Sequence, residues 1–170
     1  MMRIRLLWVF AVAMLLEACV TATPPKPVPP PSAGEMLSAI DAAGQQVHSA
    51  VSVLPLRDSS LQHLLDQAHA QRAAGQYAQA AQTLDKALAI SPHAPELLQA
   101  RAELAVRLHH YAKAEQLARS SWTQGPRVGS LCARNWETVA EMRRAAGDAS
   151  GAAQARSHLS GCSIKGVIRM

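Results

Sequence analysis

A repeat of 34 residues is the feature that most constrains how this chain can fold. Residues 75–80 read Gly-Gln-Tyr-Ala-Gln-Ala, and residues 109–114, which lie 34 positions later, read His-His-Tyr-Ala-Lys-Ala. The register also holds upstream, where Leu64 matches Leu98. A period of this length indicates helix-turn-helix units that stack on one another, because a single helix pair cannot bury its apolar face alone.

The two copies resemble the tetratricopeptide repeat. Gly75, Tyr77 and Ala80 of the first copy stand at that family's turn and packing positions. Pro92 closes this copy, and the second copy has His109 where the turn glycine usually stands. Small residues on such helices let neighbouring backbones approach, and the tyrosines fill the gaps between repeats. The resemblance implies an all-α domain that curves into a short superhelix.

A third and looser copy follows after a short insertion. Alignment of Gly147 with the glycine of the first copy puts Trp136 at the family's tryptophan position and Ala152 at its second small position. Ala149 replaces the tyrosine, so this copy is degenerate. We therefore predict about three helix-turn-helix repeats.

A further helix is predicted before the first repeat. Ser32 and Glu35 have the spacing of a capping box, in which both side chains accept hydrogen bonds from free amides at a helix start. Apolar residues then recur at mostly helical intervals, so a helix from about residue 32 to 53 is expected to cover an exposed end of the stack. The predicted fold is a short tetratricopeptide superhelix over residues 33–170 with an N-terminal capping helix.

The first 18 residues have the layout of a secretory signal. Two arginines precede an apolar run over residues 6–16, which is shorter than the roughly 20 residues that span a bilayer. The sequence Leu-Glu-Ala-Cys at 16–19 resembles the lipobox of bacterial lipoproteins. The resemblance implies that Cys19 becomes an acylated N-terminus, and Val20 after it implies anchoring at the periplasmic face of the outer membrane. The alternative is an ordinary secretory signal with an incidental cysteine.

Residues 19–32 are predicted to form a tether between the lipid and the domain. Proline favours the extended polyproline II conformation, which rises about 3.1 Å per residue, so the tether could hold the domain up to roughly 40 Å from the membrane. The prolines of this segment are Pro24, Pro25, Pro27, Pro29, Pro30 and Pro31.

Disulfides form in oxidising compartments, so export would allow the other two cysteines to pair. With Cys19 used by the lipid, Cys132 and Cys162 are left as a pair, one just before and one just after a predicted helical hairpin. The two ends of an antiparallel hairpin lie side by side, as a disulfide requires. We predict a disulfide between Cys132 and Cys162 that stabilises the terminal repeat.

The sequence contains no pattern typical of a catalytic or metal site. His109 and His110 are adjacent and point in different directions, and no third ligand stands at a suitable spacing. No serine lies in a nucleophile elbow, and no glycine-rich phosphate loop is present. We therefore predict a binding module and not an enzyme, without metal or cofactor. The net charge of +5 would suit nucleic acid, but a periplasmic location favours an acidic protein or an anionic polymer instead.

The resemblance also implies where a partner binds. Tetratricopeptide domains present a concave groove, built mainly from the first helix of each pair, that receives a peptide or another protein's helix. Carried over by register, the groove positions are Gln62, His69 and Arg72 in the first repeat, Gln99, Glu103 and Arg107 in the second, and Arg134, Glu141 and Arg144 in the third. This mixed set implies polar, partly basic recognition. Leu65 and His69 replace the lysine-and-asparagine clamp that holds a C-terminal carboxylate in some relatives, so that mode is not expected.

A lipid anchor, a proline-rich spacer and a short repeat domain together resemble the LpoP-type activators of bifunctional peptidoglycan synthases. The resemblance implies that the domain docks on a class A penicillin-binding protein and favours its active state in cell-wall synthesis. The alternative is a pilotin-like assembly factor for an outer-membrane pilus or secretion complex. The sequence leaves open the partner's identity, the oligomeric state, the role of residues 161–170, and whether the basic C-terminal third binds glycan, lipid or protein.

Overall fold

Antiparallel helix pairs make up the computed structural model, which describes residues 30–47 and 58–163. These residues form seven α-helices and no strand, so the all-α prediction is confirmed. The helices are α1 (Ala33–Gln46), α2 (Ser59–Ala73), α3 (Tyr77–Ile90), α4 (Pro95–Arg107), α5 (Tyr111–Gln124), α6 (Ser130–Ala145) and α7 (Ala149–Ser157), and a 3-10 turn over His158–Cys162 follows α7. None of these helices combines the length and the hydrophobicity that crossing a bilayer requires. The signal over residues 1–18, Cys19, most of the tether and the tail from residue 164 lie outside the described residues.

Three equivalent turns join α2 to α3, α4 to α5 and α6 to α7. Their residues Gly75, His109 and Gly147 have positive φ angles of 73°, 59° and 77°. Glycine adopts this left-handed conformation freely, whereas a histidine is strained there. His109 therefore keeps the turn geometry of the repeat without the glycine, and its Nδ1 lies 2.8 Å from the Tyr111 hydroxyl oxygen.

Small side chains lie where the helices pack most closely. Ala80 and Ala114, two predicted packing positions, are fully buried, and Ala152 of the third copy is buried as well. Leucines such as Leu84 and Leu117 fill the neighbouring space in the core. The predicted stack of three helix-turn-helix repeats is thus observed.

The predicted N-terminal helix is present as α1, and it packs against α4 and α6, the first helices of the second and third repeats. Met36 and Ile40 of α1 are fully buried in one apolar cluster with Met142 of α6. Near the other end of α1, Gly44 comes so close to α6 that an added Cβ would lie 2.7 Å from the Arg134 Cγ. The helix therefore runs antiparallel to α6. The surface that it covers is the inner face of the stack and not the exposed end that the sequence analysis expects, because its apolar stripe finds partners on two repeats.

α1 begins with the capping box that the sequence predicts. The Ser32 Oγ accepts a hydrogen bond from the Glu35 amide at 3.3 Å, and the Glu35 carboxylate accepts one from the Ser32 amide at 2.7 Å. Hydrogen bonds from Ser32 lower the pKa of Glu35. Burial holds the helix in place, since each fully buried methionine or isoleucine contributes about 1.5–3 kcal/mol relative to exposure. α1 ends at Gln46, before the predicted residue 53, and residues 48–57 lie outside the described ranges.

A disulfide closes the third repeat in the structure. Cys132 lies in the first turn of α6 and Cys162 ends the 3-10 turn, and their Cα atoms are 5.6 Å apart. The Gly129 amide donates a hydrogen bond to the Cys162 carbonyl at 2.7 Å. Beside this bridge the Trp136 ring stacks on His158, with ring centroids 4.0 Å apart. The third repeat is thus tied back to its own first helix.

Candidate partner-binding groove

The nine residues predicted to line the groove differ in exposure. The structure buries Gln99, Glu103 and Glu141, half-buries Arg72, Arg107 and Arg134, and exposes Gln62, His69 and Arg144. All lie on the first helices of the repeats, as the register predicts. The inner face is nevertheless not one continuous open surface, because α1 covers its second-repeat and third-repeat parts.

A buried carboxylate lies at the centre of this face. Glu103 is only 2% exposed, and it accepts hydrogen bonds from Arg134 Nη2 at 2.5 Å and from Gln99 Nε2 at 3.0 Å. Arg72 Nη1 approaches the same carboxylate at 3.4 Å. Arg134 also forms an ion pair with Asp41 of α1, at 3.3 Å. The first helices of all three repeats and α1 are therefore linked through one charge network.

This network stabilises the fold, and its side chains are engaged within the chain instead of with a partner. A buried carboxylate remains charged only where opposite charge and hydrogen bonds compensate for the lost solvent. Gln99 Nε2 makes a second internal hydrogen bond, to Thr138 Oγ1 at 2.9 Å. Gln99, Glu103 and Arg134 thus contact the chain's own helices.

A second network lies within the third repeat. The Glu141 carboxylate accepts hydrogen bonds from Arg156 of α7 and from Arg144, both at 2.5 Å. Glu137 accepts another from Arg156 at 2.9 Å, and this bond is the main reason that the pKa of Arg156 is raised. Glu141 therefore joins α6 to α7, whereas the Arg144 side chain remains 43% exposed.

An open cleft remains between α1 and the first two repeats. Its volume is about 460 Å³, and Arg72 and Arg107 line it opposite α1. The Arg72 side chain is 39% exposed, and the Arg107 guanidinium carbon lies 5.1 Å from the centroid of the Tyr77 ring. The α1 wall consists of Gly34, Leu37, Ser38, Asp41, Ala42 and Gln45. We call this surface the arginine cleft.

The arginine cleft suits a segment that carries carboxylates. Guanidinium groups bind carboxylates through paired N–H donors, and two of them line this cleft. Asp41 on the opposite wall already pairs with Arg134. A small cavity beside Arg72, lined by His69 and Leu65 among others, extends the surface along α2. Of the nine predicted residues, the structure therefore brings Arg72 and Arg107 together in an accessible site with His69 beside it.

The structure describes no group of three or more His, Cys, Asp or Glu residues placed to hold a metal ion within residues 30–47 and 58–163. His109 and His110 lie in the exposed turn of the second repeat. The Nδ1 of His109 contacts Tyr111.

The contribution of α1 to this site is what the sequence does not predict. Met36, Leu37 and Ile40 form an apolar stripe at helical spacing, and Gly44 allows a close approach. These signals indicate that the helix packs on another helix. They do not identify which one, so the partial filling of the groove is visible only in the structure.

Comparisons with known proteins identify the repeat family and a solved structure with a similar fold. Residues 71–134 match the tetratricopeptide repeat family. The structure is similar to that of the globular C-terminal domain of P. aeruginosa LpoP, with a TM-score of 0.57 and 32% sequence identity. The match covers 62% of this chain and 99% of that domain. No curated protein matched the chain in a sequence comparison.

Proposed function

Since this chain belongs to the LpoP-like family of tetratricopeptide-repeat proteins, we propose that it docks on a bifunctional peptidoglycan synthase, a class A penicillin-binding protein, and activates it. The observation that carries the proposal is the similarity to the LpoP domain, which extends over 99% of that domain at 32% identity. The chain then acts as a periplasmic binding module and not as an enzyme.

Activation of this kind requires no catalytic group on the activator. A bound protein shifts the synthase toward its active conformation only by binding that conformation more tightly. A tenfold preference corresponds to about 1.4 kcal/mol, which a small number of contacts can supply. The activator therefore needs a specific surface and a means of reaching the synthase.

The arginine cleft is the surface that we assign to the synthase. Arg72 and Arg107 line it, and no other element described by the structure separates them from the α1 wall. The partner segment is expected to carry acidic side chains, because these pair with the guanidinium groups. The buried part of the groove, around Glu103, supports this cleft without touching the partner.

Binding and activation are tested together with the mature chain carrying Cys19→Ser, which keeps it soluble. We expect it to bind a purified class A penicillin-binding protein and to raise its rate of glycan polymerisation. Arg72→Gln combined with Arg107→Gln is expected to weaken binding about tenfold, a loss of about 1.4 kcal/mol. Glutamine keeps a hydrogen-bonding side chain, and Glu103 keeps Arg134 and Gln99 as partners.

The matched control is Lys86→Gln with Lys113→Gln, which removes the same charge from exposed positions on α3 and α5. This control is expected to bind normally, and thermal denaturation checks that both double variants are folded. Normal binding by the arginine variants would move the docking site away from the cleft. If the unaltered chain neither binds nor stimulates the synthase, the proposed function is wrong. Crosslinking of a secretin or pilus component in cells would then favour the assembly-factor alternative.

The lipid anchor is the second part of the proposed function. We propose that acylated Cys19 holds the protein at the periplasmic face of the outer membrane, with residues 19–32 as the tether. Cys19→Ala is expected to move the protein from the membrane fraction to the soluble fraction, because the acyl chains supply the membrane affinity. Cys132→Ala with Cys162→Ala is the control, and it should stay with the membrane. Retention of the Cys19→Ala protein would contradict the lipoprotein assignment.

A further inference from the structure

A separate pocket lies between α5 and α6. Its volume is about 170 Å³, and it shares no residue with the arginine cleft. A protein cavity of about 150 Å³ holds a benzene molecule, so this pocket has room for one phenyl ring. The residues of its floor are Ala118, Trp122, Asn135, Trp136 and Val139.

Two tryptophans make this floor mainly apolar. The rings of Trp122 and Trp136 meet edge to face, with centroids 5.0 Å apart and an interplanar angle of 61°. Ala118 and Val139 are buried beside them, and Asn135 is the polar residue of the floor. An apolar group that enters the pocket therefore contacts indole rings, and aromatic rings favour such contacts with one another.

An arginine lies on each of the two tryptophans. The Arg127 guanidinium carbon is 3.7 Å from the centroid of the Trp122 ring, and that of Arg119 is 6.0 Å from the centroid of the Trp136 ring. Both arginines are exposed, and Arg119 itself lines the pocket. The apolar floor thus has two positive charges beside it.

Most donors of these two guanidinium groups remain for a partner. Within the described part of the chain, Arg119 donates one hydrogen bond, from Nε to Glu115 at 2.8 Å. Arg127 donates one there as well, from Nη2 to the Thr123 carbonyl at 3.4 Å. A guanidinium group carries five N–H donors and pairs well with carboxylates.

These features favour a protein as the occupant of the pocket. Tryptophan and arginine are the residues that most often dominate binding energy where proteins meet. Charge then decides which protein segment fits. Residues 164–170 of this chain carry Lys165 and Arg169 and no acidic residue, so like charges oppose their docking here. An acidic segment of a partner meets opposite charge instead.

We propose that this pocket receives a phenylalanine side chain of a partner protein, from a segment in which acidic residues flank the phenylalanine. The phenyl ring lies against Trp122 and Trp136, and the flanking carboxylates pair with Arg119 and Arg127. The site is a second docking point, separate from the arginine cleft, and the proposal does not depend on the proposed function.

Three short peptides with blocked ends test this site on the mature chain carrying Cys19→Ser. The first is Glu-Asp-Phe-Asp-Glu, the second has alanine in place of the phenylalanine, and the third has lysine in place of all four acidic residues. Nuclear magnetic resonance follows the indole N–H signals of Trp122 and Trp136. We expect saturable shifts with the first peptide, with Overhauser contacts between its phenyl protons and the indole rings, and binding of the other two at least tenfold weaker.

Arg119→Gln combined with Arg127→Gln tests the charged part of the site. This double variant should weaken binding of the first peptide about tenfold and keep its melting temperature close to that of the unaltered chain, because both side chains are exposed. Lys86→Gln with Lys113→Gln removes the same charge from exposed positions elsewhere and should bind normally.

Four results would overturn the proposal. The first peptide fails to bind, or the alanine or lysine peptide binds as well as it does. The arginine double variant binds normally, which would leave the carboxylates without their assigned partners. The first peptide binds only after deletion of residues 164–170, which would make this chain's own residues the occupant.

Discussion

Cys132→Ala combined with Cys162→Ala is expected to lower the free energy of unfolding by about 3–4 kcal/mol. The bridge closes a loop with a sequence separation of 30 residues, and a loop of that size restricts the unfolded chain by this amount in the chain-entropy model. The loss falls on the third repeat, whose first helix the bridge joins to the 3-10 turn. Urea denaturation of the oxidised protein and the double variant measures the difference directly.

Reduction of the unaltered protein provides the control for this experiment. A reductant should lower its denaturation midpoint toward that of the double variant and should leave the variant itself unchanged. If reduction has no effect on the unaltered protein, the two cysteines do not stabilise the domain as a bridge. The comparison also separates the bridge from packing, because both alanine side chains are smaller than the cysteines that they replace.

Arg134→Met is expected to lower the free energy of unfolding by about 3–5 kcal/mol. Glu103 stays buried at 2% exposure and loses its closest cation, and removal of one partner from a buried ion pair leaves an uncompensated charge. Arg72, at 3.4 Å and partly exposed, compensates only weakly. Denaturation by urea again gives the magnitude, and methionine keeps most of the packing of the arginine stem.

Two further variants identify the cause of that loss. Addition of Glu103→Leu to Arg134→Met should restore much of the stability, because the charge that needs compensation is then absent. Arg119→Met breaks an exposed ion pair with Glu115 and should cost at most about 1 kcal/mol. A small effect of Arg134→Met, similar to that of Arg119→Met, would contradict the central role of the network.

The repeats could be predicted from the sequence because their signals are local. Ala80, Ala114 and the turn residues recur at a fixed period, and each helix pair forms from contacts within about one repeat. His109 adopts the left-handed conformation of the turn although the family usually has glycine there. The 34-residue period therefore predicts this turn where the residue type alone does not. The proximity of Cys132 and Cys162 follows from the same hairpin logic, and the structure joins them.

The binding surface could be predicted only in part, because it depends on contacts between distant segments. The alignment of the repeats with the tetratricopeptide family predicts that Arg72, Glu103 and Arg107 lie on the inner face. Which of them is accessible depends on α1, whose position is set by the burial of Met36 and Ile40 against other helices.

The position of α1 also determines how the domain folds. In an open repeat array each unit contacts only its neighbours, so folding can begin anywhere and spread. Here α1 packs against α6 of the third repeat, and this contact between segments far apart in the sequence makes the described helices one cooperative unit. Because α1 precedes the third repeat in the chain, it cannot reach its final place until that repeat has formed, so the domain is expected to fold and unfold as a whole.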